Sequence, residues 1–156
     1  MSNGKVIVTG VLAGAMAAAL GVASFVKPWE GRRLTPYQDI VGVWTWCEGI
    51  TRGERQDRYT HAQCDALLRN EVAIHLNGLA QCISRPLEQN EWVAVGSLGF
   101  NVGVGALCRS TLVKLINAGQ PATVWCRQIL RWNKAGGREV RGLTRRRVAE
   151  YEVCIQ

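Results

Sequence analysis

The sequence predicts an α+β protein that is mainly helical, with one small antiparallel sheet and an apolar helix ahead of it. Three observations point there. Val6 to Val26 carries no charged residue over 21 positions. Leu34 to Tyr59 alternates aromatic, β-branched and turn residues in the manner of hairpins. From Thr60 onward, capping residues and glycine stops divide the chain into successive amphipathic helices. With 156 residues the chain fits one domain able to bury a core. The expected division is an N-terminal weak transmembrane segment over residues 1–26 and one folded domain over residues 27–156.

The uncharged run is long enough to cross a bilayer as a helix. It is a poor anchor, because only nine of its residues are strongly apolar: Ile7, Leu12, Leu20, Phe25 and five valines. Their summed preference for insertion is roughly 3 to 5 kcal/mol, before small opposing terms from alanine, glycine, serine and threonine. Ala15-Met16-Ala17 and Ala17-Ala18-Ala19 are small-x-small sites for a signal peptidase, but they lie inside the apolar run. A permanent anchor would be richer in leucine and phenylalanine, and a plain buried helix has the same composition. The reading favoured is an uncleaved, releasable anchor. Gly10, Gly14, Ala17 and Gly21 permit close helix packing, in the membrane or against the domain after release. Lys5 favours a cytoplasmic start, while Lys27, Arg32 and Arg33 pull the other way.

Pro36, Gly42, Val43, Trp44 and Thr45 read as a turn followed by a short strand. Thr60-His61-Ala62-Gln63 has the form of a capping box, and the helix it opens, ending near Cys82, carries Leu67, Leu68, Val72, Leu76 and Leu79 on one face. A second helix spans Glu88 to Val102 with Trp92, Val95, Leu98 and Phe100 turned inward, and Gly99, Gly103 and Gly105 break the pattern after it. Ser110 caps a short helix over Thr111–Ala118 that Gly119 stops. Pro121 opens the next helix, running to Trp132 with Val124, Trp125, Ile129 and Leu130 apolar. Gly136-Gly137 makes a turn, and a last helix from Thr144 to Cys154 points Val148, Tyr151 and Val153 or Cys154 inward.

Composition narrows the function. The six cysteines include no CxxC pair and have only His61 and His75 as companions, which argues against a zinc site. An even number of cysteines, all beyond residue 46, fits three disulfides and an oxidising compartment. The net charge of +7 is concentrated late, with eight basic against three acidic residues between Pro121 and Gln156. An acidic partner follows, and export favours a wall polymer or anionic lipid over nucleic acid.

Within Trp29 to Gly53, Glu30, Asp39 and Thr45 stand in an E-x8-D-x5-T frame. Two carboxylates across a cleft, one to protonate a leaving oxygen and one to direct water, are what glycoside hydrolysis requires. Thr45 adds a hydroxyl that both donates and accepts. The frame, inside EGRRLTPYQDIVGVWT, resembles the catalytic motif of the phage-type lysozymes, glycoside hydrolase family 24. The similarity continues through SLGFNVGVGALCRSTLVKLINAG (Ser97 to Gly119) and RWNKAGGREVRGLTRRRVAE (Arg131 to Glu150). With the weak anchor, the chain resembles the signal-arrest-release endolysins of phages infecting Gram-negative bacteria.

The resemblance implies a lysozyme-like fold and cleavage of the β-1,4 bond between N-acetylmuramic acid and N-acetylglucosamine in peptidoglycan. In that reading Glu30 is the general acid, Asp39 places or activates water and Thr45 orients it. No cofactor, metal or nucleic acid is called for, and the enzyme acts as a monomer. It is held on the periplasmic side of the host inner membrane through residues 6–26, then freed into the periplasm. Resemblance and the packing of neighbouring helices favour disulfides Cys47–Cys64, Cys82–Cys108 and Cys126–Cys154. The chain departs from relatives that continue Gly-His-Thr, having Gly49-Ile50-Thr51. Glu48 adds a carboxylate near the site, expected on its rim. A holin-like membrane-active protein, a catalytically inactive wall-binding module and a lytic transglycosylase are the alternatives.

Overall fold

A computed structural model describes the backbone of residues 3–156 and the side chains from Gly10 onward. The expectation that Lys5 helps to orient the N-terminal segment concerns a side chain outside the described residues. The fold is mainly helical with two small antiparallel sheets. Its elements are α1 (Asn3–Ala17), α2 (Ala19–Val26), β1 (Arg33–Gln38), β2 (Trp44–Cys47), α3 (His61–Cys82), α4 (Gln89–Val102), α5 (Val104–Cys108), α6 (Thr111–Asn117), α7 (Ala122–Trp125), β3 (Lys134–Ala135), β4 (Arg138–Glu139) and α8 (Arg141–Cys154).

The apolar segment is broken at Ala18, where α1 and α2 meet at 42°. No single described helix is long and apolar enough to cross a membrane, although the bent pair satisfies that test by length and composition. In this structure the pair packs into the main core. Val11, Ala15, Ala18, Val22 and Val26 are all buried with Leu68, Val72 and Leu76 of α3 and with Trp92, Val95 and Leu98 of α4. Small residues set the approach. A Cβ on Gly14 would stand 3.2 Å from the Trp92 indole nitrogen, and one on Gly21 would stand 3.0 Å from Val93. Gly96 of α4 leaves room for Val22, whose methyl would lie 2.8 Å from an added Cβ.

Thr60 caps α3 with both bonds of the capping box: Gln63 N donates to Thr60 Oγ1, and Thr60 N donates to Gln63 Oε1. Glu88 and Glu91 do the same for α4. Gly99 does not end α4, because α4 continues to Val102 with Gly99 against Leu79; Gly103, at φ 91°, makes the break. β1 pairs with β2, and Cys47 adopts a left-handed φ of 51° where the chain turns back to the Trp46–Ile50 bridge. The cystine to Cys64 holds that turn. Ile50 is buried beside Trp46 and Tyr59 in a second small core.

Two helical expectations are corrected. The helix opened by Pro121 is α-helical only to Trp125 and tightens to a 3-10 helix over Cys126–Arg131. Three residues per turn place Cys126 and Ile129 on one inner line, leaving Val124 and Leu130 outside at 40% and 37% exposure. The last helix starts earlier, at Arg141, and turns Arg146, Arg147, Glu150 and Cys154 inward while Val148 faces solvent. The turn at Gly136-Gly137 closes the β3–β4 hairpin with φ of 56° and 76°, conformations that glycine adopts without steric cost. The cystines are Cys47–Cys64, Cys82–Cys108 and Cys126–Cys154, the expected pairs.

Candidate active site

Glu30 is placed by what precedes it. Val22 and Val26 anchor α2 in the core, and the 3-10 turn Lys27–Trp29, with Pro28 near its start, delivers Glu30 at the end of the helical segment. Its side chain is 23% exposed and opens onto a cleft of about 570 Å³. Trp29, Asn101, Val140, Leu143, Arg145 and Arg146 share that cleft's lining, and Glu30 is the one carboxylate among the described residues that line it. Arg146 Nη1 donates to Glu30 Oε1 at 2.6 Å.

The inward face of α8 explains why Arg146 stands there. Glu150 is fully buried and accepts on Oε1 from Ser97 Oγ at 2.6 Å, Arg147 Nη2 at 2.9 Å and Arg146 Nε at 3.2 Å. Arg147 also reaches Asn101 Oδ1 at 3.0 Å. Burial pushes the Glu150 carboxyl up, opposed chiefly by the charge of Arg147, and burial likewise pushes the Arg147 guanidinium down. Two arginines and two carboxylates thus share one site with their formal charges balanced. Such a cluster is stable only while every member keeps its partner.

Asp39 and Thr45 sit together on the β1–β2 hairpin. Asp39 Oδ1 accepts from the backbone N–H groups of Val41 (2.9 Å) and Val43 (2.8 Å), and Asp39 N donates to Val43 O. The carboxylate therefore shapes its own turn, with Oδ2 free of those bonds. Thr45 stands opposite Tyr37 in the ladder, is 5% exposed, and donates its hydroxyl to Val43 O at 3.1 Å. Its lone pairs remain as acceptors. The tip between them exposes Ile40, Val41, Val43 and Trp44, with the Arg55 guanidinium 4.0 Å above the Trp44 ring. The hairpin residues do not line the cleft that holds Glu30. Thus Asp39 and Thr45 are grouped with each other, and Glu30 with Arg146.

Glu48 is not on a rim. Its side chain is fully buried and takes Arg32 Nε at 2.5 Å. Arg32 in turn reaches Asp65 of α3 at 2.5 Å, and Lys27 reaches the same oxygen at 2.8 Å. Burial would lower Arg32, but its bonds to Asp65 and Glu48 outweigh this and raise it. Hydrogen bonds from Lys27 first and Arg32 second hold the Asp65 carboxyl down at about 2. This chain of charges ties the end of α2 and the start of β1 to α3.

From Glu30 the surface stays concave. Asn101 and Leu143 continue into a hollow of about 510 Å³ lined by Trp132 and Lys134, and Arg131 and Trp132 lead on to another of about 420 Å³ beside Arg109 and Gln128. Arg145, Lys134, Arg131 and Arg109 face this groove, which suits an acidic polymer. Sequence periodicity missed Ser97, Arg146, Arg147 and Glu150. One signal was present: a disulfide cysteine must point inward, and stepping back from Cys154 by helical spacing reaches Glu150 and Arg147.

The sequence model of the phage lysozyme family matches residues 27–150. The chain is 39% identical over 128 residues to the SAR-endolysin of Enterobacteria phage P21, covering 81% of this chain and 77% of that one. It is 36% identical over 149 residues to the SAR-endolysin of Pseudomonas phage phiKMV, covering 91% and 89%. Among solved structures it is similar to the muramidase domain of SpmX from Asticaccaulis excentricus, with TM-score 0.79, 27% identity, and coverage of 87% and 95%. It shares the fold of the active form of the P1 phage endolysin Lyz, with TM-score 0.75, 23% identity, and coverage of 92% and 93%.

Proposed function

The chain belongs to the phage lysozyme family, and from that premise we propose that Glu30 is its general acid, with Asp39 and Thr45 placing the attacking water. It is an endolysin of the muramidase type, a glycoside hydrolase. Its substrate is peptidoglycan, cut at the β-1,4 bond between N-acetylmuramic acid and N-acetylglucosamine. The glycosidic oxygen leaves readily only if protonated as the bond breaks, and nearby negative charge stabilises the oxocarbenium-like transition state. The observation that carries the role of Glu30 is its position as the cleft's carboxylate, partly open to solvent and fixed from beneath by Arg146. In an inverting route a water fits between carboxyls about 6.5 to 9.5 Å apart. Asp39 is the second carboxyl, its geometry set by the turn, and the acceptor side of Thr45 orients the water.

Residues 1–26 are assigned as the releasable, uncleaved anchor and residues 27–156 as the catalytic domain. Val11, Ala15, Val22 and Val26 cannot fill the core and lie in a bilayer at once, and only Lys27, Pro28 and Trp29 separate Val26 from Glu30. The active site is therefore complete only when the segment docks. The tethered enzyme faces the periplasm from the inner membrane, and release frees it as a soluble monomer.

The decisive experiment is lysis of permeabilised Gram-negative cells by purified wild type and E30Q. The expected loss in E30Q is about 10²- to 10⁴-fold, the usual contribution of a general acid. Clearing by E30Q at the wild-type rate would remove Glu30 from that role.

A further inference from the structure

Between α4 and α8 lies a set of charged side chains that the reaction described above does not use. Three donors, Ser97 Oγ, Arg147 Nη2 and Arg146 Nε, converge on Glu150 Oε1 at 2.6, 2.9 and 3.2 Å. Arg146 is thus held from below before it meets Glu30, and its free Nη1 reaches Glu30 at 2.6 Å. One guanidinium is shared between the carboxylate in the cleft and the carboxylate beneath it.

We propose that Glu150 is a positioning residue for the glycosidase reaction, fixing Arg146 under Glu30 and offsetting one of the two arginine charges beneath it. The inference rests on Glu30 being the general acid. A carboxylate in contact with a cation favours its ionised form, the wrong form for an acid. The groups that face Glu30 show how this is contained. From α8 come Arg146 in contact, Arg147 behind it, Arg145 on the cleft wall and Glu150. From α4 come two neutral side chains, Asn101 on the cleft wall and Ser97, which touches Arg146 and Glu150 rather than Glu30. Lys27 and Arg32, which flank Glu30 in the chain, are engaged with Asp65 and Glu48. Arg146 and Arg147 less Glu150 leave one net positive charge under Glu30. Without Glu150 there would be two.

A purely structural role for Glu150 would lower stability or kcat and leave the pH dependence alone, so the test reads the pH profile. kcat/KM on purified Gram-negative peptidoglycan is measured against pH for the full chain as wild type, E150Q, R147Q and the double variant R147Q/E150Q. The alkaline limb reports loss of the proton from the essential acid of the free enzyme. In E150Q it is expected to move down by about one pH unit, a tenfold loss of rate above the limb. R147Q is expected to move it up, and the double variant, with the wild-type balance restored, to return it. Should E150Q not fold, R147Q carries the same test, because Glu150 there keeps Arg146 and Ser97 as partners. Limbs that stay fixed in R147Q and E150Q while kcat falls would overturn the proposal. E30Q separates the two ideas: an active E30Q overturns the general-acid reading itself, whereas an inactive E30Q with fixed limbs overturns only the role of Glu150.

Discussion

Asp65 shows how one residue joins the N-terminal apolar segment to the rest of the fold. It takes Lys27, at the end of α2, and Arg32, at the entry to β1, on a single carboxylate oxygen. Its carboxyl is held at about 2 against an ordinary 3.8, so the native state binds fewer protons than the unfolded chain between those values. The stability Asp65 contributes is then fully present above the ordinary value and is lost as pH falls through the native one. Melting temperatures of wild type and D65N should differ at pH 5, and the gap should close as pH approaches 2. A gap that persists unchanged at pH 2 would show that the contribution is not electrostatic. Glu48, the neighbour on Arg32, illustrates a different point. A glutamate beside a turn reads as exposed, and only the left-handed Cys47 carries it inward to meet Arg32.

At the scale of elements, the contact of α1 and α2 with α4 is made by small residues on both sides. Gly14 and Gly21 admit Trp92 and Val93, and Gly96 admits Val22 and Leu76. An alanine at Gly96 would gain about 1 kcal/mol of helix propensity, which partly offsets the crowding. Valine gains less and adds two methyls against Val22 and Leu76, so G96V should destabilise by about 2 to 3 kcal/mol. Urea unfolding measures this, and an unchanged midpoint would mean that α2 is not tightly seated on α4. Gly96 precedes Ser97, the residue that holds Glu150, so the seat of the segment and the support of Arg146 are adjacent on α4.

For the whole molecule, three cystines tie β2 to α3, α3 to α5, and the 3-10 turn after α7 to α8. Each should stabilise by about 3 to 4 kcal/mol in the chain-entropy model. None of them reaches α1 or α2, so the covalent frame persists whether or not the segment is docked. The release proposed above can therefore be followed on an intact protein. When the membrane potential is collapsed, full-length chain retaining residue 1 should pass from the membrane pellet to the soluble fraction, with muramidase activity rising in step. A shortened soluble product would instead mark residues 1–26 as a cleaved signal.

The sequence by itself determined what depends on near neighbours. The capping box at Thr60, the hairpin around Gly42, the apolar face of α3 and the uncharged N-terminal run are written in spacings of a few residues. Glu30, Asp39 and Thr45 stand out as site candidates through the resemblance of the motif around them to the phage-type lysozymes, since their spacing alone says little. Spacing from Cys154 points to Glu150 and Arg147, but only the tertiary structure decided that Arg146 joins them on the inward face of α8, because burying these charges is tolerable only when Ser97 and Glu30 complete their bonds, and Glu30 lies 116 positions from Arg146. It also decided that the N-terminal run bends at Ala18 and fills the core. Composition fixes how apolar a helix is, but whether lipid or protein covers it depends on a surface of matching shape elsewhere in the chain.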